Sequence, residues 1–270
     1  MSNFVPVSVV VPCYRCSITI VRAVVSIASQ TRRPVEVILV DDASSDNTRE
    51  ALRSLADAYV PGWIRLVLLN HNVGVASARN LGWAAATQPY IAFLDADDAW
   101  HPLKLAIQYS FMSEHPDVVL SGHAHRLLKN ETAPAWKVGT FEAHNINKWR
   151  LMRSNQFVTP SVMVRGDAKY RFSENQRHME DHMLWLRLVS DGARVVKLQA
   201  ALAAIYKQPF GDRGLSAQIW LMERGELKNY QQLHRDGFLA RSEYLALVLY
   251  SILKFGRRLL IYVGYLRWKQ

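Results

Sequence analysis

Val7-Ser8-Val9-Val10-Val11, followed by Pro12, is a short β-branched run, continuous rather than alternating. A strand with one face in water alternates apolar and polar residues. A continuous run suits a strand covered on both faces, as in a parallel sheet with helices on each side. Pro12 is expected to end it. The pattern returns at Val35-Glu36-Val37-Ile38-Leu39-Val40, at Ile64-Arg65-Leu66-Val67-Leu68-Leu69 and at Tyr90-Ile91-Ala92-Phe93-Leu94. Helical stretches separate these runs. The first spans about Ser17 to Ser29, with Ile20, Val24 and Ile27 on one face and Pro34 marking its stop. The second begins at the capping candidates Ser45-Asp46-Asn47-Thr48 and runs to about Tyr59. The third, Ala76 to Ala86, is rich in alanine. The order β-α-β-α-β-α-β predicts an α/β fold, a Rossmann-like and mainly parallel sheet flanked by helices.

Beyond residue 100 the pattern is less regular. A helix is expected over His101–His115, a strand over Val118–Gly122 and mixed structure from His123 to Asn155. A strand at Pro160–Val164 follows, then a helix over Glu180–Val189 and two short extended pieces, Val195–Leu198 and Ala201–Tyr206. Pro209, Gly211 and Gly214 make Gln208–Gly214 a loop.

The chain has 270 residues, half of them hydrophobic and 21% charged, which excludes a disordered chain and fits one sizeable domain with an appendage. Met1-Ser2-Asn3-Phe4 runs straight into an apolar strand without a basic leader, so no signal peptide is read and a cytoplasmic location follows. Cys13 and Cys16 form a C-x-x-C at a strand end, with no second pair to complete a zinc site; two reduced thiols are the simplest account. The net charge of +10 is uneven, with eleven Lys/Arg against five Asp/Glu from Ala201 onward. That basic segment suits an anionic surface; no zinc-finger spacing, aromatic RNA-binding strand or dense Arg run points to nucleic acid.

Ligands of parallel sheets sit beyond the carboxyl ends of the strands, and there the polar clusters fall: Pro12-Cys13-Tyr14, Asp41-Asp42, Asn72 to Asn80 and Asp95-Ala96-Asp97-Asp98. Two aspartates one residue apart at a strand end supply hard oxygen ligands for a divalent cation. Asp98 is also placed to cap a following helix. A carboxylate at Asp41-Asp42 can accept from a base N–H or a ribose hydroxyl, or cap a helix. Arg79 can reach a phosphate or pair with an aspartate. Of Glu180-Asp181, one carboxylate can serve as a general base or merely charge a helix N-terminus.

Taken in order, Val7–Tyr14, Ser29-Gln30-Thr31, Val40–Thr48, Asn72–Asn80, Tyr90–Asp98, Thr159-Pro160-Ser161 and Glu180-Asp181 resemble family 2 glycosyltransferases of the GT-A fold, over roughly residues 5 to 205. The resemblance implies an inverting transferase that moves a sugar from a nucleotide-diphosphate donor, most often a UDP-sugar, to a hydroxyl in cell-surface polysaccharide or glycolipid assembly. It implies a Mg2+ or Mn2+ cofactor. Pro12, Tyr14, Asp41, Asp42, Arg79 and Asp95 are then donor-site residues, Asp97 with Asp95 holds the metal, and Asp181 is the base. It divides the chain into a catalytic domain, 1–205, with a nucleotide-sugar half (1–100) and an acceptor half (101–205). A lid loop and linking helix (206–240) and a basic amphipathic helix (241–270) follow. Related folds carry a late histidine as a further metal ligand; none stands between Tyr206 and Gln232, and Gln208, Asp212 and Arg213 occupy the expected lid. A non-catalytic nucleotide- or glycan-binding domain of the same fold is the competing expectation, which intact Asp95, Asp97 and Asp181 oppose.

In the last segment Tyr244–Leu253 and Leu259–Leu266 are apolar and Lys254, Arg257 and Arg258 interrupt them. Neither run reaches the roughly 18–20 residues of a spanning helix. With Tyr262, Tyr265 and Trp268, the segment suits a helix at the inner face of a membrane, near a lipid-linked or carbohydrate acceptor. Packing on the catalytic domain, or on a second copy in a homodimer, is the alternative.

Overall fold

The computed structural model describes residues 3–128, 133–206 and 219–268. Its first hundred residues form β1 (Phe4–Cys13), α1 (Ile20–Ala28), β2 (Arg33–Asp41), α2 (Thr48–Ala58), β3 (Ile64–Leu68), α3 (Val75–Ala85) and β4 (Tyr90–Phe93). These strands pair in the order β3-β2-β1-β4, all parallel. Both faces of β1 are covered, as its unbroken apolar run requires. Val7, Val9 and Val11 share one core with Ile20, Val24 and Ile27 of α1. Val10 belongs to the opposite core, with Ala76, Ala78 and Trp83 of α3. Gly82 lets α3 approach the sheet; a Cβ there would stand 2.4 Å from Val10 Cγ1 and 3.0 Å from Val40 Cγ2.

Past β4 the sheet continues through β8 (Met163–Arg165), β6 (Val118–Leu127) and β9 (Arg194–Ile205). β8 is antiparallel to β4 and β6, while β6 and β9 are parallel. Two short strands, β5 (Ala99–Trp100) and β7 (Ala143–Asn145), pair antiparallel with β9. The remaining helices are α4 (Lys104–Glu114), α5 (Lys148–Arg153), α6 (Glu180–Ser190), α7 (Ile219–Arg235) and α8 (Arg241–Trp268). The α/β class, the mainly parallel sheet and the C-terminal helical extension are as the sequence implies.

Several boundaries differ. Pro12 and Pro34 lie inside strands and end nothing: Pro12 stands opposite Val40 and Pro34 opposite Val5. β4 pairs only with Val7–Val10 and β3 only from Val37 onward, so each proline lies where its strand has one neighbour and its missing N–H is tolerated. Asp98 caps no helix. The chain instead forms β5, Asp98 Oδ1 accepts from Tyr206 N (3.3 Å) and α4 begins only at Lys104. The expected strand at Pro160–Val164 opens as a 3-10 turn, Thr159–Ser161, because Pro160 offers no N–H to a ladder. The two extended pieces after Ala193 are one twelve-residue strand, β9. Gln208, Asp212 and Arg213 lie outside the described residues.

Candidate active site

Four parallel strands end on one side of the sheet, and their carboxyl ends build the crevice. At the end of β1, Pro12 is half-buried and Tyr14 is exposed, with the Arg15 guanidinium 5.3 Å from the Tyr14 ring centroid. Cys13 and Cys16 are buried, unbridged thiols beneath this turn. Arg15 and Ala43 both have positive φ (49° and 54°), an unfavourable conformation for residues with a Cβ that marks these loops as locally strained.

The two aspartates ending β2 act differently. Asp41 points into the fold, where its Oδ2 accepts from Arg49 Nε (2.6 Å) and its Oδ1 from Ser44 N (3.2 Å). Arg49 also donates to the Leu69 carbonyl, so Asp41 fastens α2 to the end of β3. Asp42 Oδ1 accepts from Val73 N (2.7 Å) and Oδ2 from Gly74 N (2.9 Å), which folds the β3–α3 loop over the crevice. Gly74 has φ +88°, a conformation open to glycine, and it starts α3. Each Asp42 oxygen keeps a second lone pair for a further donor.

α3 delivers Arg79, which is 4% exposed. Its Nη2 donates to Asp95 Oδ1 (2.7 Å) and its Nη1 to Glu180 Oε1 (3.0 Å). One buried guanidinium thus joins the strand-end aspartates to the acidic pair at the start of α6, 101 residues away in sequence. Burial lowers the Arg79 pKa, but the charges of Asp95 and Glu180 outweigh this and raise it. Burial, then the charge of Asp181, lifts Glu180 to about 7 against the pull of Arg79. The residue before the pair, Met179, is held at φ 61°.

Asp97 and Asp95 flank the same turn after β4. Asp95 is engaged on one oxygen by Arg79, and the Asp97 carbonyl accepts from Arg22 of α1. Asp181 is half-buried. Its Oδ1 accepts from His182 N (2.6 Å), while Oδ2 lies 3.4 Å from Asn155 Nδ2 and 3.5 Å from Thr159 Oγ1. Contacts that long hold Oδ2 weakly, so it remains open to an incoming hydroxyl. Among the described residues no group of three His, Cys, Asp or Glu side chains converges to hold a metal.

The structure therefore brings Asp95, Arg79, Glu180 and Asp181 together, and sets Pro12, Tyr14 and Asp42 along the β1 and β2 ends. Asp41 lies beneath them. Two features were not foreseen: the role of Glu180 as the second partner of Arg79, and Asn80, whose side chain takes the Phe172 N–H (3.0 Å) and donates to its carbonyl (2.9 Å). Asn80 thereby ties α3 to the segment leading to Glu180; its place one residue after Arg79 was the only available signal.

The family described as "Glycosyl transferase family 2" matches residues 8–183. Two Escherichia coli proteins named UDP-Glc:alpha-D-GlcNAc-diphosphoundecaprenol beta-1,3-glucosyltransferase are similar. WfaP is 30% identical over 191 residues, covering 70% of this chain and 72% of its own. WfgD is 31% identical over 186 residues, covering 68% and 70%. Among solved structures, S. aureus TarS 1-349 in complex with UDP-GlcNAc has a TM-score of 0.66 at 19% identity, covering 92% of this chain and 70% of that one. The mannosyltransferase PcManGT from Pyrobaculum calidifontis, in complex with GDP-Man and Mn2+, has a TM-score of 0.68 at 18% identity, with the same coverage.

Proposed function

This chain belongs to glycosyl transferase family 2, and from that premise we propose that it moves a sugar, with inversion, from a UDP-sugar to a hydroxyl of a lipid-linked glycan. The observation that carries the reading is the Asp95–Arg79–Glu180 bridge. It holds the strand-end aspartates and the Asp181 base as one unit, as a displacement needs when leaving group and nucleophile lie on opposite sides of one carbon. Lipid-linked diphosphate acceptors are named for the two E. coli relatives, and they are the acceptor class proposed here.

Pro12 and Tyr14 form the base pocket, with Asp42 at its polar edge and Asp41 holding the loop beneath. Arg79 serves the donor by orienting Asp95. Asp181 Oδ2 removes the proton of the acceptor hydroxyl, which then attacks the anomeric carbon from the face opposite the diphosphate. Asn155 and Thr159 border that oxygen without holding it tightly. Residues 1–100 bind the donor and 101–205 face the acceptor.

Asp97 and Asp95 fit a divalent cation. They are hard donors one residue apart, and among the described residues no third His, Cys, Asp or Glu joins them, which leaves coordination places for diphosphate oxygens and water, as Mg2+ and Mn2+ prefer. When bound, the ion neutralises charge on the departing diphosphate. The inner face of α8 packs on the catalytic body through Leu247, Ser251 and Phe255, and Leu245, Leu249, Ile252 and Leu253 stay exposed. With the exposed Arg257 and Arg258 nearby, we assign that outer face to an anionic membrane; Lys254 turns inward and pairs with Glu226. Among the described residues no helix is long and apolar enough to cross one.

A thermal-shift panel of nucleotide-sugars, with and without Mn2+, tests the donor and metal roles. A UDP-sugar should raise the melting temperature of the wild type most in Mn2+, and Asp97→Asn should lose the Mn2+ increment. An equal shift in chelator and Mn2+ would remove the metal from the account.

A further inference from the structure

A second and strongly positive cleft lies beside the start of α6. It forms where residues 175–178, which lead into Met179, pass over α7 and the first turn of α8, and it holds about 490 Å3. Arg177, Arg224 and Lys228 line it with Gln176, His178 and Tyr244, and no carboxylate lines it among the described residues. Lys228 Nζ donates to the Asn175 carbonyl (3.1 Å). Arg177 and Arg224 are exposed and form no ion pair among the described residues. Two arginines and a lysine lining one concavity suit an anionic ligand. The planar guanidinium fork matches phosphate oxygens in particular.

The cleft is tied to the chemistry. Gln176 Nε2 donates to the His178 carbonyl (2.7 Å) and to Asn229 Oδ1 (2.8 Å), and Asn229 Nδ2 donates to the Met179 carbonyl (3.0 Å). α7 comes this close because residue 225 is glycine; a Cβ there would lie 2.8 Å from the His178 carbonyl oxygen. The floor of the cleft and the N-terminus of α6 are therefore one hydrogen-bonded piece. His178 and Asp181 are three residues apart, at most about 10 Å of chain, a span that one sugar ring and its anomeric phosphate can bridge. At the other end, Tyr244 leads onto the exposed apolar stripe of Leu245, Leu249, Ile252 and Leu253. A site that is cationic next to a base and apolar beyond it matches an amphiphile with a phosphorylated head. The donor diphosphate is accounted for elsewhere, at Asp95 and Asp97.

We propose that this cleft binds the diphosphate of the lipid-linked acceptor, with Arg177 and Arg224 as its ligands and the α8 stripe receiving the start of the lipid chain. The proposal rests on the transferase reading above for the identity of the acceptor. An anionic phospholipid headgroup offers the same phosphate chemistry, so the test has an arm for each.

Isothermal titration of the full chain with farnesyl diphosphate, in EDTA and without donor, reads the site directly. The double variant Arg177→Gln/Arg224→Gln should bind at least about tenfold more weakly than the wild type, given the strength of charge-assisted hydrogen bonds. Arg235→Gln, on the same helix outside the cleft, should bind as the wild type does. Equal affinity in the double variant, or no binding by the wild type, overturns the proposal. Phosphatidylglycerol vesicles form the second arm. Loss of vesicle binding in the double variant, with no farnesyl diphosphate binding in either protein, would assign the cleft to the membrane and refute the acceptor role. This titration contains no nucleotide-sugar, so its failure leaves the transferase reading intact, and a failure to bind UDP-sugars leaves this result standing.

Discussion

Replacing Glu180 with glutamine keeps the shape of the side chain and removes its titration, which isolates the charge at the centre of the site. Glu180 is buried, with a side chain 9% exposed, and its pKa stands at about 7 against an ordinary 4.5. Between those values the native state keeps a proton that the unfolded chain releases. Stability from this group is thus fully present below about pH 4.5 and is lost as pH rises through 7. Raising a carboxylate pKa that far corresponds to about 3 kcal/mol. Urea denaturation of wild type and Glu180→Gln at pH 4.5 and pH 8 measures it, because every other titrating group is common to both proteins. The wild type should lose about 3 kcal/mol more than the variant over this interval. Parallel profiles would show that burial and the neighbouring Asp181 do not hold the proton, and would refute the electrostatic reasoning about the Arg79 bridge.

Further outcomes follow from individual contacts. Asp181→Asn should lower kcat by about 10²–10⁴-fold with little change in donor KM, as expected for a lost general base and checked by steady-state kinetics. Lys104 is a buried amine without a hydrogen-bond partner among the described residues, over the Trp100 ring at 3.7 Å, and burial holds its pKa well below the ordinary range. Lys104→Met should therefore stabilise the protein by about 1–2 kcal/mol at pH 7, read as a higher melting temperature. That gain should shrink as pH rises through about 10.5, where the amine of the unfolded chain also loses its proton. Gly82→Ala should destabilise by about 1–3 kcal/mol, since the new methyl collides with Val10 between α3 and the sheet; calorimetry reads the fall in melting temperature.

The first half of the molecule was legible because each element carries its own signal. Val7–Val11 has no polar alternation, and Val9 and Val10 do enter opposite cores. The second half hides its order in long-range pairing. β5 and β7 are two and three residues long and exist only because β9 accepts them, so no local pattern announces them. In the crevice, strand-end polarity located the aspartates, but partner choice depended on three-dimensional placement. Asp41 and Asp42 look equivalent in sequence, yet the alternation of a strand sends one carboxylate to Arg49 and the other to the Val73 and Gly74 amides. Arg79 allowed a phosphate or an aspartate as its partner. That it also grips Glu180 needed α6 to be brought against α3, which a separation of 101 positions in sequence does not reveal.

The central claim is that Asp181 drives an inverting transfer from a nucleotide-sugar across the Asp95–Arg79–Glu180 bridge. Its most direct test is the anomeric configuration of the product formed from an α-linked UDP-sugar and a lipid-linked acceptor, determined by nuclear magnetic resonance for wild type and Asp181→Asn. The account predicts a β-linked product from the wild type and almost none from the variant. An α-linked product, or undiminished transfer by Asp181→Asn, would contradict it.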